Sequence, residues 1–466
     1  MKLMYKFLEK NRTEARIFAF AFLAGLIFLA LFFAAYQNRF WESDPAEYRM
    51  LGKNLLENGT YSLDSAPPYR PSISYPPLYP LFMIFASAGT FHPFWILLTQ
   101  NILAALSAII LYKISFEFFR NRKLSLIASA LFILEPGMLF FTNQLYPEAL
   151  FTFLLLAGIL GIVKYLDNWN FRHLALSAVS LALMTLTRPN GEYLSYIVFV
   201  FLAIYVLVKN ITEFYKKILP LAGFAALFVL TLSPWLIRSQ ILYGAPVVSS
   251  TGNYSVVSRT IGSYIAWKKN IPMREASKES KQLFIQRGIR KEAIEEYDFY
   301  IDTKIPKEAA KIVFSDPVGF AQSQMRFLIP YFFGTGWSEI VKIFKGDDSK
   351  PPYFISNIGP SIFEQIKTAS GKSGLAASFG GAALFGVIYI LAIAGLWKGF
   401  SERKTFFFAL LFVFVIAYFA VSTGELSYSR YRYPVNPLIF ILAAEGGFIL
   451  WNVFRSRRAH APEQAS

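Results

Sequence analysis

The strongest constraint on this chain is a recurring apolar run of about 20 residues, the length a helix needs to cross the hydrocarbon of a bilayer. Such runs read at 17–36, 94–112, 124–142, 146–163, 174–187, 192–208, 218–237, 377–397, 405–423 and 434–454. In lipid, backbone N–H and C=O groups must find partners inside their own segment, so each run is expected to be helical. The expectation is an all-α polytopic membrane protein with about ten transmembrane helices. Composition agrees, because 55% of the residues are hydrophobic and only 16% are charged, against roughly 25% in soluble domains. The chain has no Cys, which excludes disulfides, thiolate nucleophiles and Cys-based metal sites. His92, His173 and His460 are scattered and do not have the spacing of a His-built metal site.

With 46 Lys plus Arg against 30 Asp plus Glu, the net charge is +16, which taken alone would raise nucleic acid as a partner. The positions of the cations argue otherwise. The short segments 1–16, 113–123, 164–173, 209–217, 398–404 and 455–458 alternate with the runs and hold 20 of the 46 basic residues. Lys and Arg are retained on the cytoplasmic side of short loops. Both termini are therefore expected in the cytoplasm, in a multi-pass protein of the cell membrane with no nucleic-acid partner. The first run, preceded by Lys2, Lys6, Lys10, Arg12 and Arg16, suits an uncleaved signal anchor.

Two segments on the opposite side are too long to be connectors. The loop 37–93 holds an acidic stretch, a Pro-rich region from Pro67 to Pro80 and an apolar run, 78–88. That run is too short to span and reads as an interfacial or re-entrant helix. The segment 238–376 mixes polar helical stretches with aromatic ones and is expected to form a small extracytoplasmic cap resting on the membrane. The expected organisation is an N-terminal transmembrane module, 1–237, containing the loop 37–93; the cap region, 238–376; and C-terminal transmembrane helices with a cytoplasmic tail, 377–466.

Chemistry can be sought where polar residues interrupt this pattern on the outer face. In Asp44-Pro45-Ala46-Glu47-Tyr48, the two acids three apart share a helix face. They could serve as a general base toward an acceptor hydroxyl or amine, or merely favour a helix N-terminus. Glu148 follows Tyr146-Pro147 at the outer end of the fourth run, where the same two readings apply. Arg188, Arg238, Arg430 and Arg432 stand on the outer face against the positive-inside trend. The planar guanidinium fork suits a phosphate; the competing reading is interfacial anchoring, with Arg snorkelling to membrane lipids beside a Tyr and Trp belt. Glu445, beside Gly446 and Gly447 in the last run, reads either as a functional intramembrane acid or as part of a tight helix contact.

At these residues the sequence resembles the GT-C glycosyltransferases of the protein-mannosyltransferase and lipid A aminoarabinose-transferase superfamily. Asp44 to Tyr48, followed by Tyr75-Pro76-Pro77-Leu78-Tyr79-Pro80, is similar to that family's first extracytoplasmic loop. Tyr146-Pro147-Glu148 resembles its second acidic position. Leu186-Thr187-Arg188-Pro189, then Pro234-Trp235-Leu236-Ile237-Arg238, and Arg430-Tyr431-Arg432-Tyr433-Pro434 resemble its later signatures, in the same order. Two departures are Pro45 where some members carry an acid and Glu148 where Asp is common.

The resemblance implies transfer of a sugar from a polyprenyl-phosphate donor to a lipid, glycan or protein acceptor on the outer face, with inversion. Asp44 would be the general base, with Glu47 and Glu148 beside it. Arg188, Arg238, Arg430 and Arg432 would bind the donor phosphate, and Tyr48, Tyr75 and Tyr79 the acceptor or sugar. Metal dependence varies among such enzymes, and no metal or cofactor is assigned. Two other functions fit a polytopic chain: a lipid-linked-sugar transporter or flippase, and an oligosaccharide ligase or polymerase. Against the transporter, no inverted repeat or pair of broken helices is legible.

Overall fold

The computed structural model describes residues 11–36, 39–209, 214–345, 362–424 and 429–459; Lys2, Lys6, Lys10 and His460 lie outside them. Among the described residues the regular structure is all helical. The first half comprises α1 (Arg12–Tyr36), α2 (Asp44–Asn58), α3 (Leu78–Ala86), α4 (Pro93–Phe119), α5 (Arg122–Leu134), α6 (Pro136–Thr142), α7 (Glu148–Asn168), α8 (Phe171–Thr187), α9 (Gly191–Lys209) and α10 (Phe214–Tyr243). Then come α11 (Thr251–Ser255), a π-helical turn (Val256–Ile261), α12 (Gly262–Lys269), α13 (Met273–Gln286), α14 (Glu292–Glu295), α15 (Ile305–Ser315) and α16 (Pro317–Met325). The chain closes with α17 (Leu328–Phe333), α18 (Trp337–Lys345), α19 (Ile362–Ser401), α20 (Phe406–Ser422), α21 (Ser429–Arg432) and α22 (Asn436–Ala459).

Each of the ten apolar runs is helical. Among the described residues, α1, α4, α7, α9, α10, α19 and α22 are long and apolar enough to span a bilayer. The run 124–142 is broken into α5 and α6, bent by 59°. Pro136 cannot continue the α5 ladder, and Glu135 instead caps α6 by accepting from the backbone N–H of Gly137 at 2.9 Å and of Met138 at 2.7 Å. The helices α8 and α20 have 17 residues each, about 26 Å at 1.5 Å per residue. The seventh run extends further than its apolar stretch, with Pro220 and Pro234 inside α10; membrane helices tolerate proline where neighbours satisfy the freed backbone groups. Arg238 therefore lies within a helix and not in the loop after it. The run 377–397 likewise belongs to a helix of 40 residues, α19, which begins inside the segment 238–376.

Burial ranks the helices. Of the apolar window of α7, 78% is buried, against 28% for α1, α10 and α19. The helix α7 is thus the central post of the bundle, packed on α4 and α8, and Glu148 sits at its first position. On α1, by contrast, Phe20, Leu23, Ile27 and Leu31 are exposed at three- and four-residue spacing, a lipid-facing stripe. The helices α19 and α22 cross at glycines: a Cβ on Gly446 would lie 1.8 Å from the carbonyl of Leu391, and one on Gly395 would lie 2.0 Å from that of Leu442. Glu445 beside this crossing is buried and paired with Lys398. That pairing accounts for Glu445 through helix contact.

Three of the segments expected to face the cytoplasm, 1–16, 113–123 and 164–173, are joined where Arg122 donates to Thr13 at 2.7 Å and Arg120 to Asp167 at 3.1 Å. The helices α2 and α3 pack on each other, and α3 also packs on α4 and α8. The run 78–88 is the nine-residue α3, with Tyr79, Pro80 and Met83 buried. The helices from α12 to α15 enclose a separate apolar core of Val257, Ile261, Tyr264, Phe284, Ile305 and Ile312. This cap grips the first loop. The backbone N–H of Ile73 donates to the carbonyl of Asp298 at 2.9 Å, that of Ser250 donates to the carbonyl of Ile73 at 3.1 Å, and Arg70 bridges Asp64 at 2.8 Å and Glu296 at 3.0 Å.

Candidate active site

Four charged residues from distant parts of the chain meet where helices end. Asp44 opens α2, with Pro45 at a position whose missing N–H costs nothing. Glu148 opens α7 directly after Pro147. Arg188 is the C-cap of α8, and Arg430 lies in the single turn α21 that precedes α22. A carboxylate in a first helical turn and a cation at a helix C-terminus each complement the helix dipole.

Their side chains form one chain of alternating charge. Arg430 donates from Nη1 to Asp44 Oδ2 at 2.9 Å and from Nε to Glu148 Oε1. Arg188 donates from Nη1 to the same Glu148 Oε1 at 2.7 Å. Aromatic faces hold both guanidinium groups: Arg430 lies 3.7 Å from the ring centre of Tyr146, and Arg188 lies 4.9 Å from that of Tyr431. Charge-assisted hydrogen bonds of this kind are the stronger ones in proteins, and the low local dielectric strengthens them further.

Exposure separates the two carboxylates. The Glu148 side chain is fully buried, while that of Asp44 is 33% exposed. Solvent or a substrate can reach Asp44, and Glu148 is enclosed by its arginines. Burial pushes the Asp44 carboxyl up, but the charge and hydrogen bond of Arg430, with the charge of Arg188, outweigh it and hold the group below its ordinary value. One turn further along α2, Glu47 is moved the other way: burial raises it, the hydrogen bond from Tyr75 opposes, and the nearby charges of Asp44 and Asp298 raise it again. Asp44 is thus the carboxylate held ionised, and Glu47 the one held closer to protonation.

The three tyrosines cluster beside these acids. Tyr48 lies edge-on to Tyr75 at 4.8 Å and to Tyr79 at 5.0 Å. Tyr75 is half-buried and donates to Glu47, whereas Tyr48 and Tyr79 are buried. The remaining two arginines lie elsewhere. Arg238 donates to the carbonyl of Ser72 at 3.2 Å and lies over the rings of Trp235 at 4.5 Å and Tyr61 at 5.6 Å. Arg432 is 1% exposed and donates to the carbonyls of Tyr331 and Phe332 and to Asn436 Oδ1. Its guanidinium also lies 4.1 Å from the ring centre of Phe385. Among the described residues no three His, Asp or Glu side chains converge as a metal site requires.

Two aromatic residues of the site, Tyr146 and Tyr431, are not distinguishable in sequence from belt tyrosines at a membrane surface. Each lies beside a charged site residue, Tyr146 two before Glu148 and Tyr431 next to Arg430, and that adjacency is the one signal the sequence carries for them. Asp298, from the cap, joins the neighbourhood of Glu47 only through the fold.

The sequence matches no family model and no curated protein. Among solved structures, the chain is similar to the archaeal oligosaccharyltransferase AglB from Archaeoglobus fulgidus, solved with an inhibitory peptide and a dolichol-phosphate. The TM-score is 0.51 at 13% identity, covering 98% of this chain and 53% of that one. This chain therefore spans about half the length of that protein. A further similarity is to ArnT from Cupriavidus metallidurans, with a TM-score of 0.37 at 11% identity over 90% of this chain and 76% of that one for the apo form. For ArnT bound to undecaprenyl phosphate the TM-score is 0.36 at 11% identity, over 94% and 81%. Of these three superpositions, the one on AglB carries the comparison of folds. The chain shares the polytopic all-helical fold of the AglB structure.

Proposed function

We propose that this chain is a membrane glycosyltransferase that moves a sugar from a polyprenyl-phosphate-linked donor to a lipid, glycan or protein acceptor on the extracytoplasmic face, with inversion. The observation that carries the reading is the array in which a solvent-reached carboxylate, Asp44, pairs with Arg430, one of two arginines fixed by a buried Glu148. The AglB structure, solved with a dolichol-phosphate, supports a lipid-phosphate donor. Asp44, Glu47, Arg188, Arg430 and Tyr75 are the residues proposed to meet substrate. Tyr48 and Tyr79 would back Tyr75, and Arg238 and Arg432 would anchor the first loop and the α21 turn.

In the proposed reaction the acceptor oxygen or nitrogen bonds to the anomeric carbon from the face opposite the phosphate. Asp44 takes the acceptor's proton as that bond forms. The bond from the anomeric carbon to the phosphate oxygen breaks, its electron pair stays on the phosphate, and Arg430 and Arg188 stabilise the charge that develops there. Asp44 then returns its proton to solvent. Glu148 keeps both guanidinium groups in place before the donor arrives, so little reorganisation remains for the transition state.

The test is to delete the protein and compare cell-envelope glycolipids and glycoproteins by mass. A product lighter by one sugar in the deletion strain, restored by the purified protein with the matching polyprenyl-phosphate sugar, is the expected outcome. Movement of the lipid-linked sugar across vesicles with no covalent transfer would overturn the reading in favour of a transporter.

A further inference from the structure

Gln100 lies in the second turn of α4 and is fully buried. Its Nε2 donates to the carbonyls of Thr142 and Gln144, both at 2.7 Å, and its Oε1 accepts from the hydroxyl of Tyr79 at 2.8 Å. The carbonyl of Thr142 ends α6, and the N–H of Tyr146, which would serve it in a continuing helix, turns to Gln144 at 2.7 Å instead. Pro147 supplies no N–H at all. A buried carbonyl without a donor is costly; the Gln100 amide serves Thr142 in place of Tyr146 and adds a second donor to Gln144. Next to it, Asn101 donates to Asn143 Oδ1 at 2.9 Å, so two consecutive amides of α4 hold the same turn.

What that turn carries gives Gln100 its consequence. The turn ends in Tyr146, under the Arg430 guanidinium, and in Glu148, which fixes Arg430 and Arg188. On its other side Gln100 holds Tyr79, which packs against Tyr48 in the helix that Asp44 opens. We propose that Gln100 is a positioning residue that sets the register between the Asp44 helix and the Glu148 turn, and thereby the place of Arg430. It touches no reacting atom. Its kinetic consequence rests on the transferase reading above.

The experiment is a double-mutant cycle of Gln100→Met with Glu148→Gln in the full chain, read by transfer from a polyprenyl-phosphate sugar and by hydrogen exchange of the peptides spanning 142–148 and 429–433. Misplacement on the scale of about 1 Å can cost about 100-fold in rate, so Gln100→Met is expected to lower kcat by about that factor, with KM for the donor changed less than about threefold. Exchange in 429–433 should quicken, although Gln100 does not contact that turn. The double variant should be no slower than Glu148→Gln alone, because coupled residues are non-additive. Multiplied losses with unchanged exchange in 429–433 would overturn the proposal. If the wild type transfers no sugar, the transferase reading fails, and exchange in 429–433 decides the positioning role by itself. If Gln100→Met does not fold, Tyr79→Phe, which removes only the bond to Oε1, takes its place with a smaller loss and the same criterion.

Discussion

Arg430 stands between the two acids of the site, 2.9 Å from Asp44 and hydrogen-bonded through Nε to Glu148. Of the three groups only Asp44 is substantially open to solvent. One guanidinium thus keeps an accessible carboxylate ionised and is itself held by a buried one.

Replacing Arg430 with Gln removes the cation that opposes burial at Asp44. The Asp44 carboxyl then rises, and the acid limb of kcat/KM, which reports the free enzyme, should move to higher pH. The sign also runs through stability. A carboxyl depressed in the folded protein adds stability above its unfolded value, near 3.9, and loses it as pH falls through the folded one. Arg430→Gln should flatten that acid dependence, and the rate should fall about 100- to 1,000-fold, as for loss of one charge-stabilising donor. An acid limb in its wild-type place would show that Arg430 does not govern Asp44.

Glu148→Gln leaves the buried guanidinium of Arg430 and the partly buried one of Arg188 facing a neutral amide. Removing one partner of a buried ion pair costs roughly 3–5 kcal/mol, so thermal unfolding in detergent should drop well below that of Asp44→Asn, whose side chain is partly solvated. Equal stability of the two variants would show that Glu148 does not fix the arginines.

The crossing of α19 and α22 should reject a single methyl group at one glycine and accept it at the next. Gly446→Ala places a Cβ against the Leu391 carbonyl, whereas one at Gly447 comes no nearer than 4.0 Å to the Leu391 side chain. Overpacking costs about 1–3 kcal/mol. Melting measurements should therefore separate the two variants, and matched values would contradict the contact.

The absence of cysteine allows orientation to be tested with single introduced thiols. Ala46→Cys, beside Asp44, is expected to react with a membrane-impermeant maleimide in intact cells, and Lys123→Cys only after permeabilisation. The reverse pattern would put the site in the cytoplasm.

Much of this arrangement was readable before the structure, for physical reasons that differ by residue. Asp44, Glu148, Arg188 and Arg430 stand out because a charge at the edge of an apolar run is costly unless something compensates it, and the structure shows that they compensate one another. Arg238 and Arg432 carry the same signal in sequence but point elsewhere, since position along a chain does not tell a side chain's direction. The break between α5 and α6 hides inside one apolar run, where only Glu135-Pro136 marks it. Gln100 is harder still, because a neutral amide in an apolar helix shows neither charge nor period. The first loop's dependence on the cap, through Ile73 and Asp298, joins residues more than 200 positions apart.

The central claim is that Asp44 takes the acceptor's proton, and the most direct measurement is transfer by purified Asp44→Asn from a polyprenyl-phosphate sugar, with folding checked by its melting curve and elution. The account predicts a correctly folded protein that still binds the polyprenyl phosphate and transfers no detectable sugar. Wild-type transfer by that variant would contradict it.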